Sequence, residues 1–111
     1  MSGLPTPIVM AYRAANCEGY IFVAQVFGFG GLLRIMSSLG ASGNFVASTV
    51  IFHNETPSFL NKVLSYRDAE EACGRSLLHI HEISGATITL RAYQNAIRYA
   101  LVAHEAVRGR P

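Results

Sequence analysis

Residues 77–90 read LLHIHEISGATITL, and apolar and polar side chains alternate along most of this stretch. A three-residue loop at 83–85 is favoured, because its third position takes a left-handed backbone and is occupied by Gly85. Side chains alternate across a strand, so this register gives one apolar face and one polar face. A two-residue loop at 84–85 would mix apolar and polar residues on both faces. The sequence therefore predicts a β-hairpin whose polar strand face consists of His79, His81, Thr87, Thr89 and Arg91.

The hydrophobic period changes after Leu90, where apolar residues recur at steps of three and four residues as far as Val107. This pattern predicts an amphipathic helix that ends before Gly109. The apolar residues form one stripe along this helix, and a second stripe of mostly small residues lies beside it. Packing on the core of a single chain would bury only one of the two stripes. We therefore expect the helix to contact a second copy of the chain through Tyr93, Ala96, Tyr99 and Ala103. The alternative is that both stripes are buried within a single chain.

The composition favours one small domain with an apolar contact surface. The chain has 111 residues, of which 50% are hydrophobic and 14% are charged. A chain of this length can bury a core without disulfides, and we expect a single domain over 1–111 with residues 1–7 as a loose tail. Because so few side chains are charged, part of the protein surface must be apolar, and we expect a contact to cover it. The expected partners are therefore a second copy in a homodimer or another protein.

Signals for nucleic acid, membranes and metals are weak. The net charge is +2 and the basic residues are scattered, which does not favour nucleic acid. The uncharged run at 19–33 is too short to span a bilayer. Cys17 and Cys73 lack the spacing of a zinc site. We expect free thiols in the cytoplasm, with no membrane contact, no metal ion and no cofactor.

The whole chain predicts a two-layer α+β domain with a mostly antiparallel sheet and about three helices. Strands are expected over 8–14, 20–27 and 44–52, and the second should be covered on both faces because its apolar residues do not alternate. Glycines at 28, 30 and 31 predict a tight turn, since their spacing departs from the phosphate-binding fingerprints. Further helices are expected over 32–39 and from Pro57 to Gly74, the latter with a break near Ser65.

No arrangement of residues indicates a catalytic centre, and the leading hypothesis is a small non-enzymatic interaction or regulatory protein that acts through protein contacts. One alternative is a DNA-binding regulator, because residues 65–83 resemble a helix-turn-helix with its turn at 74–76. The segment 77–83 nevertheless lacks the Arg, Lys, Asn and Gln side chains that contact base edges. The other alternative is a small enzyme or metal-binding protein that uses His79 and His81 on the predicted strand.

Overall fold

The fold combines one antiparallel sheet with two helices, and the computed structural model describes residues 4–13 and 19–107. The strands lie side by side in chain order and are β1 (Ile8–Arg13), β2 (Gly19–Phe27), β3 (Leu32–Gly40) and β4 (Phe45–His53). Helix α1 (Pro57–Ala72), a short 3-10 helix (Leu77–His79) and helix α2 (Thr87–Val107) follow. Helix α2 packs across β2 and β3. The predicted α+β class with an antiparallel sheet is confirmed.

Helix α2 buries one broad side against the sheet. Leu90 and Ile97 are fully buried in the same core as Phe22 of β2 and Ile35 of β3. Small residues let the helix approach the strands closely, and those that are fully buried are Ala96, Ala100 and Ala103. The stripe of large apolar residues and the stripe of small ones are thus both buried within one chain.

Strand β2 is covered on both faces, as predicted. Its consecutive residues Phe22, Val23 and Ala24 are 1%, 3% and 1% exposed. Strand β1 pairs with it in antiparallel fashion, which confirms the expected strand pair. Within the predicted tail, the Pro7 carbonyl accepts a hydrogen bond from the Gln25 amide at 2.8 Å, so this residue lies against β2. Residues 1–3 lie outside the described part of the chain.

Residues 32–39 belong to strand β3, so the helix predicted there is wrong. Leu33, Ile35 and Leu39 are all buried on one face of the strand. Their positions also fit steps of three and four when Met36 is included, and a short apolar run cannot distinguish the two periods. The structure is decided by long-range pairing, because β2 and β4 both pair with β3 along its length.

The hairpin predicted over 77–90 is also wrong. Residues 80–86 are irregular with a turn at 84–85, and α2 begins at Thr87. The Leu90 amide donates to the Ala86 carbonyl at 2.9 Å, which closes the first turn of the helix. The alternation between 86 and 90 is too short to distinguish a strand from a helix start.

A buried side chain of α2 bonds two backbone carbonyls of the segment that precedes the helix. Gln94 is 1% exposed, and its Nε2 donates to the carbonyl oxygens of Leu77 at 2.9 Å and Ile80 at 2.7 Å. Backbone carbonyls that are removed from water need such partners. This contact holds the 3-10 helix and the residue after it against α2 without any β-pairing.

Gly85 has the left-handed backbone that the sequence predicted, with φ at +79°, although it lies in the turn before α2. We expect Gly85→Val to lower the free energy of unfolding by about 1–2 kcal/mol, because a β-branched residue resists this conformation. Gly85→Asn should lose less, since Asn tolerates the left-handed region better. Urea unfolding of the three proteins measures both differences. A Gly85→Val variant as stable as the wild type would contradict this expectation.

Helix α1 begins where predicted, with Thr56 before it and Pro57 in its first turn. It runs continuously to Ala72, so the break expected near Ser65 does not occur. The Ser65 hydroxyl donates to the Asn61 carbonyl at 3.1 Å, a bond within the helix that serine makes readily. One 3-10 turn follows α1 in place of a recognition helix, so the helix-turn-helix predicted over 65–83 is not formed.

A polar network joins α1, β4 and α2. The hydroxyls of Tyr93 and Ser48 lie 2.8 Å apart, and the Glu71 carboxylate accepts from the Ser48 hydroxyl at 2.7 Å. Arg67 of α1 lies near Tyr93, and the two groups interact electrostatically. Burial raises the pKa of the Tyr93 phenol, so this hydroxyl stays protonated at neutral pH. The network holds α1 in a fixed position relative to α2.

Candidate functional site

A groove opens beside the first turn of α2, and we refer to it as the α2 groove. It encloses about 220 Å³ and is lined by Phe29, Phe59, Gly85, Ala86, Thr87, Ile88 and Thr89. The rings of Phe29 and Phe59 meet edge to face, with centroids 5.3 Å apart. Phe29 is 62% exposed and Ile88 is 56% exposed, so apolar side chains border the opening. The groove therefore offers an apolar, partly aromatic surface beside Thr87, whose hydroxyl donates to the Ile83 carbonyl at 3.0 Å, and Thr89, which is fully buried.

A buried carboxylate connects the two sides of the α2 groove. Glu55 is 4% exposed and follows β4. Its Oε1 accepts from the Phe29 amide at 2.8 Å and from the Thr89 hydroxyl at 2.5 Å, while its Oε2 accepts from the Gly30 amide at 2.5 Å. An ionised carboxylate is purely an acceptor, and these three donors suit that state. Glu55 thus ties the β2–β3 turn to the first turn of α2.

The absence of a side chain at Gly28 makes room for this carboxylate. A Cβ atom built on Gly28 would overlap Oε1 of Glu55 and would lie 2.9 Å from its Cδ. Both contacts are far shorter than van der Waals separations. The predicted tight turn at 28–31 is present, but it joins two strands, and close approach of Glu55 explains why glycine is required at position 28.

The start of α2 is suited to an anion. The amides of the first helical residues, Thr87, Ile88 and Thr89, have no acceptor within the helix. Lys62 of α1 lies beside this end, where its Nζ is 3.4 Å from the Ser84 carbonyl oxygen. The same Nζ would be 3.0 Å from a Cβ at Gly85. The positive end of the helix dipole and a lysine ammonium therefore both lie near Gly85, which lines the groove.

The five residues of the predicted polar strand face are not brought together on a strand. Thr87 and Thr89 line the α2 groove from the first turn of the helix. Arg91 is exposed further along α2, and His79 and His81 are exposed in and after the 3-10 helix. The prediction therefore selected two groove residues for a wrong structural reason.

The four residues expected at a contact between copies have different environments. Tyr93, Ala96 and Ala103 are each 0% exposed and are covered by the chain's own core, so they are not accessible to a second copy. Tyr99 is half-buried and lines a second cavity together with Phe27. Tyr93, Ala96 and Ala103 therefore fit the alternative in which a single chain buries both apolar stripes of the helix.

The metal hypothesis for His79 and His81 loses its structural basis because the strand is not formed. Within residues 4–13 and 19–107, no group of three or more His, Cys, Asp or Glu side chains could hold a metal ion. Neither helix in this described part is long and apolar enough to cross a membrane.

Sequence comparison relates the chain to a known family of domains. The FMN-binding domain family matches residues 28–102, which is more than half of the chain and contains every residue that lines the α2 groove. The chain belongs to the FMN-binding domain family. The leading hypothesis of a non-enzymatic interaction or regulatory protein is therefore wrong.

Two relatives of this FMN-binding domain come from two strains of Cereibacter sphaeroides. Each is a component of an ion-translocating oxidoreductase complex and is 28% identical over 110 residues. The match covers 85% of this chain and 50% of the relative. The chain thus spans about half the length of the curated relatives it matches.

Sequence reasoning missed Glu55, Phe29 and Lys62 as parts of a site. They come from three separate segments, and neither period nor spacing relates them. One available signal was the run at 84–87, where a serine, a glycine and a threonine precede an amphipathic helix. Small and hydroxyl-bearing residues at a helix start are typical of anion sites. The hairpin interpretation concealed this signal, because it placed the helix start after Leu90.

Proposed function

We propose that this FMN-binding domain holds FMN in the α2 groove and transfers electrons as a part of a larger redox assembly. The observation that carries the proposal is the match of the FMN-binding family across all three segments that form the groove. When bound, FMN supplies a ring that accepts and releases electrons reversibly. The protein supplies the position and the electrostatic surroundings of that ring.

The apolar part of the groove suits one side of the flavin ring. Aromatic side chains provide large contact areas for planar rings, and Phe29 and Phe59 stand at this part of the groove. The groove volume of about 220 Å³ is below that of pockets that enclose a whole ligand. The cofactor would therefore have one side against the protein and the other towards solvent, where a redox partner can approach.

The polar end of the groove suits the phosphate group. Free amides at the start of α2 and the Lys62 ammonium near Gly85 are donors for it, while the Thr87 hydroxyl already donates to the Ile83 carbonyl. The free amides and the ammonium interact favourably with a doubly charged phosphate. The ring and the phosphate of FMN thus find matching chemistry in and beside one groove.

A protein partner follows from the same proposal. The relatives are components of an ion-translocating oxidoreductase complex, and an electron carrier needs a donor and an acceptor. We therefore propose that this domain docks on another redox protein with the open side of the α2 groove. The homodimer expected from the sequence stays a prediction.

Titration of the protein with FMN and with riboflavin tests the proposal. We expect the wild type to quench FMN fluorescence saturably and to bind riboflavin less tightly, because riboflavin lacks the phosphate. Lys62→Gln should weaken FMN binding by roughly threefold to tenfold and leave riboflavin binding unchanged. Added salt should reduce the difference between wild type and variant.

Arg98→Gln is the matched control for this titration. Arg98 is an exposed cation on α2, and its guanidinium hydrogen-bonds to Asn95 rather than to a groove residue. The control should bind FMN as the wild type does. Wild-type protein that does not bind FMN at all would refute the proposed function, and equal losses in both variants would remove Lys62 from the phosphate site.

A further inference from the structure

We infer that Glu55 is the positioning residue of the α2 groove, and that its negative charge tunes the cofactor proposed to bind there. This inference rests on the proposed function. Glu55 lines no part of the opening itself. It acts through the backbone that carries Phe29 and through the Thr89 hydroxyl.

The geometry makes Glu55 a link between groove walls that are distant in sequence. Its bonds reach 26 residues back to Phe29 and 34 residues forward to Thr89. The two carboxylate oxygens bond different amides of the β2–β3 turn, so the turn is held in position and orientation. A ring placed between Phe29 and α2 needs a fixed separation of these two walls. Glu55 is the side chain that sets this separation.

Among the residues that the structure describes, no cation forms an ion pair with Glu55. Two ion pairs join Arg67 to Asp68 and Arg75 to Glu70, and neither involves Glu55. Glu55 is instead stabilised by neutral donors, two amides and one hydroxyl. A negative charge in a poorly solvated wall repels added electrons over several ångströms. With FMN bound, the negative charge of Glu55 would disfavour additional negative charge on the ring and would lower its reduction potential.

Glu55→Gln is the sharpest test, because it preserves shape and removes charge. The Gln amide oxygen can replace one carboxylate oxygen, but its NH2 group then faces a backbone N–H, which is also a donor. We expect FMN affinity to fall by about tenfold, corresponding to about 1.4 kcal/mol. The midpoint potential of the bound FMN should shift to a more positive value. In the protein without FMN, amide exchange should accelerate at Gly30 and stay slow in the middle of α2.

Variants of Thr89 separate positioning from direct contact with the ligand. Thr89→Ser keeps the hydroxyl and should keep FMN affinity, whereas Thr89→Val keeps the shape and should weaken binding. If Thr89 acts through Glu55, Thr89→Val should have little further effect in the Glu55→Gln background. Full additivity of the two substitutions would overturn the link between these residues.

The outcomes distinguish this inference from the proposed function. Wild-type protein that fails to bind FMN refutes the proposed function and the inference with it. Wild-type protein that binds FMN, together with a Glu55→Gln variant of equal affinity and equal potential, overturns the inference alone. If Glu55→Gln does not fold, the Thr89→Ser and Thr89→Val variants still test the inference. Equal FMN binding by these two variants would show that the hydrogen bond from the Thr89 hydroxyl to Glu55 does not position the groove.

Discussion

Ile97→Ala is expected to lower the free energy of unfolding by about 2–5 kcal/mol. Ile97 is fully buried in the middle of α2, and truncation would leave a cavity between the helix and the sheet. Domains of this size are stable by about 5–15 kcal/mol, so the loss is a large fraction of the total. In a thermal melt followed by circular dichroism, the midpoint should fall by on the order of 10 °C or more.

Val102→Ala on the same helix is the matched control. Val102 is 55% exposed, so its truncation should change the free energy of unfolding by about 0.5 kcal/mol or less. The two variants lose similar numbers of carbon atoms from one helix and differ mainly in burial. Comparable losses in both would contradict the packing of α2 on β2 and β3.

Gly28→Ala is expected to weaken FMN binding by roughly a hundredfold, corresponding to about 2.8 kcal/mol. The new Cβ would overlap Oε1 of Glu55, and the carboxylate could move away only by giving up hydrogen bonds to the turn and to Thr89. Bonds to charged groups are among the stronger ones, so their loss would open the groove. FMN titration measures the affinity, and a thermal melt of the same protein shows whether the fold persists.

Gly30→Ala provides a graded comparison in the same turn. Its Cβ would lie 3.1 Å from Oε2 of Glu55 and 3.2 Å from the Thr56 amide nitrogen, which small shifts can relieve. We therefore expect a smaller loss of FMN affinity than for Gly28→Ala. An equal or larger loss would show that the turn, rather than the position of Glu55, limits binding.

The fold class could be predicted because several elements carry clear local signals. Strand β2 has an uninterrupted apolar run, and Thr56-Pro57 starts α1 where expected. The errors fall where local patterns are ambiguous. Residues 32–39 fit the hydrophobic period of a helix as well as that of a strand. They form a strand because they pair with strands on either side. Residues 77–80 are held by Gln94, a long-range contact that no period reveals.

The candidate site was less predictable than the fold, because its parts are assembled by tertiary structure. Phe29 lies within the predicted glycine turn, Glu55 between the predicted third strand and the helix that begins at Pro57, and Lys62 on that helix. Thr87 and Thr89 were selected, but as part of a strand face with two histidines that lie elsewhere. What a sequence can show in such a case is the helix start at 84–87, provided that the helix boundary is placed correctly.

The hydrogen bonds of Glu55 also bear on the order in which the molecule is made. Neighbouring strands of the sheet are neighbours in the chain, and such local pairing forms quickly. The α2 groove, in contrast, has one wall from the β2–β3 turn and another from a helix that is synthesised much later. On a ribosome, the sheet can therefore form before its site does. The proposed loading of FMN would therefore have to wait for the docking of α2.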